Sequence, residues 1–340
     1  MSRIHPLVYM NKKITLVAAA LLICSVVSYG WGFFGHKVVH QLAIYGLPKQ
    51  MQGFFYKNQD YLVQNSVRPD ERRSHDPEEA PRHFIDVDVY GEDAVYTMPQ
   101  SWKAAAEKYP VDTLKKYGIV PWHVMVMKER LTNAFRQQNA DSILFYAADL
   151  GHYIADAHVP LHTTLNYDGQ LTNQHGLHSL WESKVPEMHA ETYKLQNKKA
   201  VYLKDAETAI WEVVRASHKL FPSVLELERE ATKSFTPETK YVTVERNGRT
   251  RRYYSDDFAK KYAELLGPTV AQRMQTSAEV VSNFWYTCWV DGGKPDLDKL
   301  MGGKISKDQK KALKQEKKSW NKNTLFQENR VIATQKKANS

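Results

Sequence analysis

One stretch of the chain constrains its fold more than any other. Residues 142–159 read SILFYAADLGHYIADAHV, with apolar side chains at helical spacing, and Pro160 follows directly. Proline ends a helix because it lacks the amide hydrogen and clashes with the preceding turn. The pattern therefore predicts a helix over 142–159. His152 and Asp156 are four residues apart in it, so their side chains leave the helix from one face.

Helical spacing recurs along the chain, and alternating patterns typical of strands are rare. Further helices are predicted over 36–47, 178–188, 205–220 and 268–289. The exception is the stretch 241–254, YVTVERNGRTRRYY, in which β-branched residues flank Asn247-Gly248 and predict a β-hairpin. We predict an all-α protein, a single-domain helical bundle with one small hairpin.

The charge of the chain is concentrated at its ends. The formal net charge is +9, of which residues 1–30 carry +3 and residues 303–340 carry +8, so residues 31–302 carry −2. This body lacks the broadly basic surface of many nucleic-acid-binding proteins. The Gly- and Pro-marked stretch 291–303 is expected to end the folded body. The expected domains are 1–30, 31–302 and a solvated basic tail over 303–340.

The first thirty residues have the pattern of a secretory signal peptide. Arg3, Lys12 and Lys13 precede an apolar run over 14–27, which is short for a membrane span, and small residues follow it. We therefore expect a secreted or periplasmic protein that begins at residue 31. Cys24 would leave with the signal, so Cys288 alone would remain and no intrachain disulfide could form. Bound metal would then be a useful stabiliser.

A second His-and-acid pair lies close to the first. His178 and Glu182 are also four apart, in HGLHSLWE (175–182), and His162 lies between the two pairs. Imidazole and carboxylate groups suit zinc, and facing helices of a bundle are a common place for such a site. Two His-and-acid pairs with this spacing favour a metal site over two separate surface hydrogen bonds. His158 should point away from it, in a packing or supporting role.

Three upstream motifs complete a resemblance to a known family. They are WGFFGH (31–36), Asp70 in RPDERR (68–73) and His83 in APRHFIDVD (80–88). With the two pairs, they resemble the superfamily of zinc-dependent phospholipases C and fungal single-strand-specific nucleases. The resemblance covers residues 31–190, with weaker support to residue 290. It implies a phosphodiesterase with three zinc ions per chain.

The resemblance also implies which residues hold each ion. The first would be held by Asp70, His83, His152 and Asp156, the second by His162, His178 and Glu182, and the third by Trp31, His36 and the bridging Asp156. Trp31 would bind through its carbonyl oxygen and through an α-amine, which exists only if the chain is cleaved before it.

The resemblance further implies the chemistry. A hydroxide shared by two zinc ions would attack phosphorus in line, and the third ion would hold the departing oxygen. Asp156 would set the metal spacing, and Arg73 would bind the phosphate. Asp86, together with Asp88, would orient ligands or water. His40 and His123 are expected to have structural roles.

Three functions stay open at this point. A nuclease acting on single-stranded nucleic acid or nucleotides is favoured by the spacing of Trp31 and His36 and by LHSLWE (177–182). A phospholipase C acting on lipid head groups is favoured by Glu182, where the nucleases usually have Asp, and by the missing disulfides. A zinc-binding protein without activity is the third. The expected partner is a phosphodiester substrate, and we expect a monomer with no obligate protein partner.

Overall fold

The predicted helix over 142–159 lies at the centre of the molecule. In the structure, a computed structural model that describes residues 31–246 and 249–335, this helix is Ala140–Ala157. The side-chain oxygen of Asn139 accepts a hydrogen bond of 2.8 Å from the amide of Ser142 and so caps its start. Every residue from Ala147 to Ala157 is buried. The face that carries His152 and Asp156 is therefore enclosed by other elements.

The other elements surround this helix. The helices are α1 (Phe33–Gly46), α2 (Lys49–Lys57), α3 (Gln59–Asn65), α4 (Arg68–Arg72), α5 (Ala94–Thr97), α6 (Trp102–Lys108), α7 (Val111–Lys116), α8 (Val120–Arg136), α9 (Ala140–Ala157), α10 (Leu177–Ser179), α11 (Val185–His189), α12 (Ala206–Thr232), α13 (Pro237–Lys240), α14 (Asp256–Leu266), α15 (Thr269–Asp291), α16 (Leu297–Leu300) and α17 (Lys307–Lys322). Helix α9 packs against α1, α3, α8 and α15. The predicted all-α bundle is confirmed.

Two predicted helices differ in extent from the observed ones. The helix predicted over 205–220 continues through Pro222 to Thr232. Burial of Val224 and Leu225 beyond the proline, against α14 among others, outweighs the local cost of the missing amide. The single helix predicted over 178–188 is divided into α10, a π-helical turn (Leu180–Lys184) and α11.

The predicted hairpin is confirmed as two antiparallel strands, β1 (Tyr241–Arg246) and β2 (Arg249–Tyr254). Their register pairs Tyr241 with Tyr254 at the base. They form the one sheet among the described residues. The turn signal Asn247-Gly248 itself lies outside the described residues.

The C-terminal segment differs from the solvated extension that we expected. Helix α17 packs on α1 and α2, and Trp320 within it is 4% exposed. The carboxylate of Glu316 accepts hydrogen bonds from the hydroxyls of Tyr45 (2.8 Å) and Tyr56 (2.7 Å). The segment is highly charged, but one side of it is apolar and packs against the body. Residues up to 335 therefore add to the core. The domain boundaries remain a prediction.

The expected signal peptide, residues 1–30, lies outside the described residues. Among the residues that are described, no helix has the length and apolar character needed to cross a membrane. Cys288 is buried as a free thiol.

Candidate metal centre

The first group of candidate ligands gathers around Asp156. Helix α9 presents His152 and Asp156 with Nε2 and Oδ2 3.1 Å apart. His83 ends a 3₁₀ turn (Ala80–His83), and its Nδ1 lies 2.8 Å from Asp156 Oδ2 and 3.0 Å from His152 Nε2. All three side chains are buried, so their polar atoms face one another in the interior rather than water.

Two upstream residues join this group. Asp70 lies on α4, where its Oδ1 is 3.6 Å from His83 Nδ1 and 3.8 Å from His152 Nε2. His36 lies on α1, with Nε2 3.3 Å from Asp156 Oδ1 and with its ring stacked on that of His152. Segments far apart in the sequence therefore bring their polar side chains to one buried point.

The second group consists of His162, His178 and Glu182. The Nε2 atoms of the two histidines are 2.9 Å apart, and Glu182 Oε2 lies 2.9 Å from His178 Nε2 and 3.6 Å from His162 Nε2. His162 follows Pro160 in a 3₁₀ turn, and its Nδ1 is 3.8 Å from Asp156 Oδ1. The second group thus adjoins the first.

The donor atoms fit bound metal. Buried atoms without a hydrogen-bond partner include both ring nitrogens of His36, both carboxylate oxygens of Asp70, Oδ1 of Asp156 and Oε2 of Glu182. Leaving such groups buried and unpaired is costly, and native proteins rarely do so. Nitrogen and carboxylate oxygen are the ligands that zinc accepts, so these groups can hold a metal ion.

Burial also sets the protonation of these rings in favour of metal binding. Desolvation lowers the pKa of His36 to about 3 and that of His178 to about 4. Metal ligands must be unprotonated, and both rings are neutral near pH 7. Burial raises the pKa of Glu182 to about 8, so its charged form needs a cation beside it.

An outer layer of hydrogen bonds orients the rings. Nδ1 of His152 donates to the carbonyl oxygen of Ser66 (2.7 Å), and Nδ1 of His162 donates to that of His83 (2.8 Å). These bonds occupy each Nδ1, so Nε2 is the ring nitrogen that faces the cluster.

A cavity of about 190 Å³ opens beside the ligands. Its lining residues are Arg73, His83, Phe84, Asp86, Leu161, His162, Tyr167 and His178. Arg73 Nη1 lies 3.8 Å from Asp70 Oδ1. Burial, followed by the nearby charge of Asp88, raises the pKa of Asp86 to about 7. A cation and a titratable acid therefore line the space next to the candidate metal ligands.

Comparison with known proteins assigns the chain to a family. The sequence profile of the S1/P1 Nuclease family matches residues 31–279, which is most of the chain and includes every candidate ligand. This chain belongs to the S1/P1 nuclease family.

Individual relatives are more distant. Nuclease S1 of Aspergillus oryzae is 26% identical over 196 residues, which cover 53% of this chain and 62% of that protein. Alpha toxin from Clostridium absonum is 13% identical, with a TM-score of 0.44 over 83% of this chain and 66% of the toxin. Alpha-toxin from an avian strain of Clostridium perfringens is 14% identical, with a TM-score of 0.45 over 79% of this chain and 65% of the toxin. The chain thus spans less than two thirds of each relative.

Trp31 opens the part of this S1/P1 family chain that the structure describes. Its side chain is buried, and its ring packs on that of Trp181 with centroids 5.0 Å apart. The amide of Gly32 donates to the carbonyl oxygen of Glu182 (3.2 Å). The start of α1 therefore lies beside the turn that carries Glu182.

The other expected roles have mixed outcomes. His158 faces away from the cluster, as predicted, and its Nδ1 donates to the carbonyl oxygen of Ile154 (2.7 Å). His40 and His123 are buried outside the candidate ligand groups. Asp88 does not contact a candidate ligand side chain, because its carboxylate accepts from the hydroxyl of Thr164 (2.7 Å) and the amide of Leu165 (3.0 Å). It therefore fastens the loop that follows His162.

Sequence reasoning missed Glu79. Its buried carboxylate accepts hydrogen bonds from Tyr153 and Arg82, and its Oε1 lies 3.4 Å from His83 Nε2. Burial alone would raise the pKa of Glu79, but bonds from His83, Tyr153 and Arg72 hold it well below its usual range. The spacing Glu79-xxx-His83 is the same i, i+4 signal as in the two pairs, and it could have indicated this residue.

Proposed function

We propose that this chain is a zinc-dependent phosphodiesterase that hydrolyses single-stranded nucleic acid or nucleotides. One observation carries the proposal: unpaired buried nitrogen and carboxylate oxygen atoms converge beside a cavity lined by Arg73 and Asp86. Membership of the S1/P1 nuclease family supports the same activity. The proposal includes export and removal of residues 1–30.

Three zinc ions are proposed per chain, with the ligand sets given above. Two groups support the first and second sets: His83 with His152 and Asp156, and His162 with His178 and Glu182. His36 groups with Asp70 and His152, and its Nε2 lies 3.3 Å from Asp156 Oδ1, so the third set is supported by this contact with Asp156 and by the resemblance. When bound, zinc lowers the pKa of water toward neutrality and stabilises negative charge on phosphate oxygens.

The residues of the chain have separate roles in this proposal. Asp156 lies between His36 and the pair His83 and His152, so its carboxylate would be shared between ions held on the two sides. Arg73 binds phosphate oxygens in the cavity, as the planar fork of a guanidinium suits. Asp86, with its pKa raised to about 7, accepts or donates a proton near neutral pH.

The aromatic lining favours nucleic acid over lipid. Phe84 and Tyr167 both line the cavity, and Tyr167 is 39% exposed. A base can stack on such rings in a single-stranded substrate. The phospholipase alternative has its own support, because Leu165 and Leu171, on the same loop, are exposed and would form an apolar rim.

The test is a side-by-side assay of zinc-loaded mature protein on single-stranded DNA, RNA and phosphatidylcholine. We expect turnover on the nucleic acids and its loss in His152→Ala. The matched control is His158→Ala, on the same helix but facing away, which should keep both metal and turnover. Turnover on phosphatidylcholine alone would establish the phospholipase. A protein that retains zinc without turnover on any of the three would be the inactive metal-binding alternative.

A further inference from the structure

The β-hairpin has an anchored base and an exposed face. Side chains alternate along a strand, so Val242 and Val244 share a face with their register partners Tyr253 and Arg251. Val242, Val244 and Tyr253 are exposed by 44%, 43% and 40% of their surfaces, and Arg251 is exposed as well. Large apolar side chains grouped with a cation on a surface mark a docking site more often than isolated ones do.

On the opposite face, the residues at the base hold the hairpin to the body. Tyr254 is buried, and its hydroxyl donates to Glu228 Oε1 (2.9 Å), which also receives Nζ of Lys240 (2.7 Å). The guanidinium of Arg252 lies over the ring of Tyr241, 4.1 Å from the centroid. The base of the hairpin is therefore fixed to the body.

The base of the hairpin is attached to the segments that carry the candidate ligands. The hydroxyl of Tyr254 also lies within hydrogen-bond distance (3.2 Å) of the carbonyl oxygen of Gln174, in the loop between Tyr167 at the cavity and His178. Lys184, two residues after Glu182, donates to the carbonyl oxygen of Tyr254 (2.7 Å). Hydrogen bonds thus join the base of the hairpin to the loop after Tyr167 and to the turn that carries Glu182.

The charge of the hairpin favours an anionic partner. Residues 241–254 contain four arginines and one glutamate, a net charge of +3, within a body of residues 31–302 whose net charge is −2. A local cationic element on an acidic body selects an anionic partner. Arginine beside an aromatic ring is the chemistry that binds single-stranded nucleic acid, whereas insertion into lipid favours a continuous apolar face.

We propose that the exposed hairpin face is a docking surface for the part of a single-stranded nucleic acid outside the metal cavity. Arg251 pairs with a backbone phosphate, and Tyr253 stacks on a base. This inference rests on the proposed nuclease function and adds that substrate length matters. A long strand touches both the cavity and the hairpin, while a dinucleotide touches the cavity alone.

The experiment compares zinc-loaded Arg251→Glu and Tyr253→Ala proteins on a 30-nucleotide single-stranded DNA and on a dinucleotide. We expect kcat/KM on the long strand to fall about tenfold for Arg251→Glu and about fivefold for Tyr253→Ala. Rates on the dinucleotide should stay unchanged. The slope of log affinity against log salt should become shallower by about 0.7 for each phosphate contact removed.

Matched controls separate docking from general surface charge. Lys310→Glu alters an exposed cation on α17, and Tyr96→Ala removes a ring that is 59% exposed on α5. Neither should change the long-strand rate. An equal loss on both substrates, or an equal loss in the controls, would overturn the docking surface.

Two further measurements separate this inference from the proposed function. If the wild-type protein cleaves no nucleic acid, fluorescence anisotropy with the same 30-nucleotide strand still decides the point. Weaker binding by Arg251→Glu would support the docking surface without the nuclease, and unchanged binding would refute it. Loss of binding to vesicles of phosphatidylserine and phosphatidylcholine, with unchanged DNA binding, would assign the face to lipid instead.

Discussion

The two His-and-acid pairs have the same spacing but lie on backbones of different kinds. His152 and Asp156 occupy a regular stretch of α9, whereas Glu182 lies in a π-helical turn that follows His178. A π turn is wider than an α turn, and such turns are often found at functional sites. We infer that the additional methylene of Glu182, relative to aspartate, spans the wider turn.

The pairs also differ in how the fold supports them. His152 is held by the carbonyl of Ser66, and its neighbour His83 is backed by buried Glu79. The second pair depends on Asp168, whose carboxylate accepts from the amides of Gly176 (3.0 Å) and His178 (3.3 Å). The pair His152 and Asp156 is therefore part of the core, whereas the pair His178 and Glu182 is held against the core by the loop that carries Asp168.

The largest expected effects are those of removing a histidine from each pair, and the two variants should differ in their free energy of unfolding. His152→Ala and His178→Ala should each reduce turnover by more than about a hundredfold, since loss of a ligand exceeds loss of its support. His152→Ala should also lower the free energy of unfolding by about 3 kcal/mol, because it removes a partner from the buried carboxylate of Asp156. His178→Ala should cost about 1 kcal/mol. Chemical denaturation that finds equal losses would break the comparison.

Metal removal should proceed in two stages. His162 and His178 retain slight exposure, whereas His36, His152 and Asp156 have none. A chelator should therefore take metal from the group of His162, His178 and Glu182 first. Full removal should lower the melting temperature by about 5 °C or more, because the ligands meet only in the folded chain. Elemental analysis and melting curves at successive chelator concentrations check the order, and release in a single step would contradict it.

Processing at the N-terminus should affect turnover more than substrate affinity. An α-amine with a pKa of about 8 can bind zinc after losing a proton, while an amide nitrogen has no usable lone pair. Protein with a methionine before Trp31 should hold less zinc than protein that begins at Trp31. Its turnover rate should be lower by about tenfold or more. Equal zinc content and equal rates would remove Trp31 from the ligand set.

The smallest expected effects lie in the supporting residues. Glu79→Gln should weaken metal affinity about tenfold, as is typical for a group that orients a ligating histidine. Asp168→Asn should act on the second pair alone and lower stability by about 1 kcal/mol, as for loss of a helix cap. Competition with a metal indicator measures both. Identical metal losses in the two variants would show that the pairs are not supported separately.

The helical class and the candidate residues could be predicted because their signals are local. Because Asp156 follows His152 by four residues, the two side chains must share one face of a helix. The recurring helical spacing of apolar residues was enough to predict a helical bundle. Glu79 was missed because its stretch, RSHDPEEAPRH (73–83), resembles an exposed, charged surface. The π turn at Leu180–Lys184 could not be predicted either, since it depends on packing around the start of α1 rather than on local propensity.

The packing of the C-terminal segment could not be predicted from the sequence for a related reason. Seven lysines within α17 and only scattered apolar residues suggest a solvated helix. Glu316 acquires its role from the hydroxyls of Tyr45 and Tyr56, which are 271 and 260 residues away. Contacts of that separation leave no local pattern in a single sequence.

The same contacts determine the order in which the chain can fold. The side chain of Gln41 donates to the backbone carbonyl of Arg330, a partner 289 residues away. Helix α1, which carries His36, therefore cannot complete its packing until the segment with α17 and Arg330 has joined it. Long-range contacts close slowly because the entropy of a large loop must be overcome first. The packing around α1 and His36 should therefore form later than contacts between neighbours in sequence, such as that of α8 with α9.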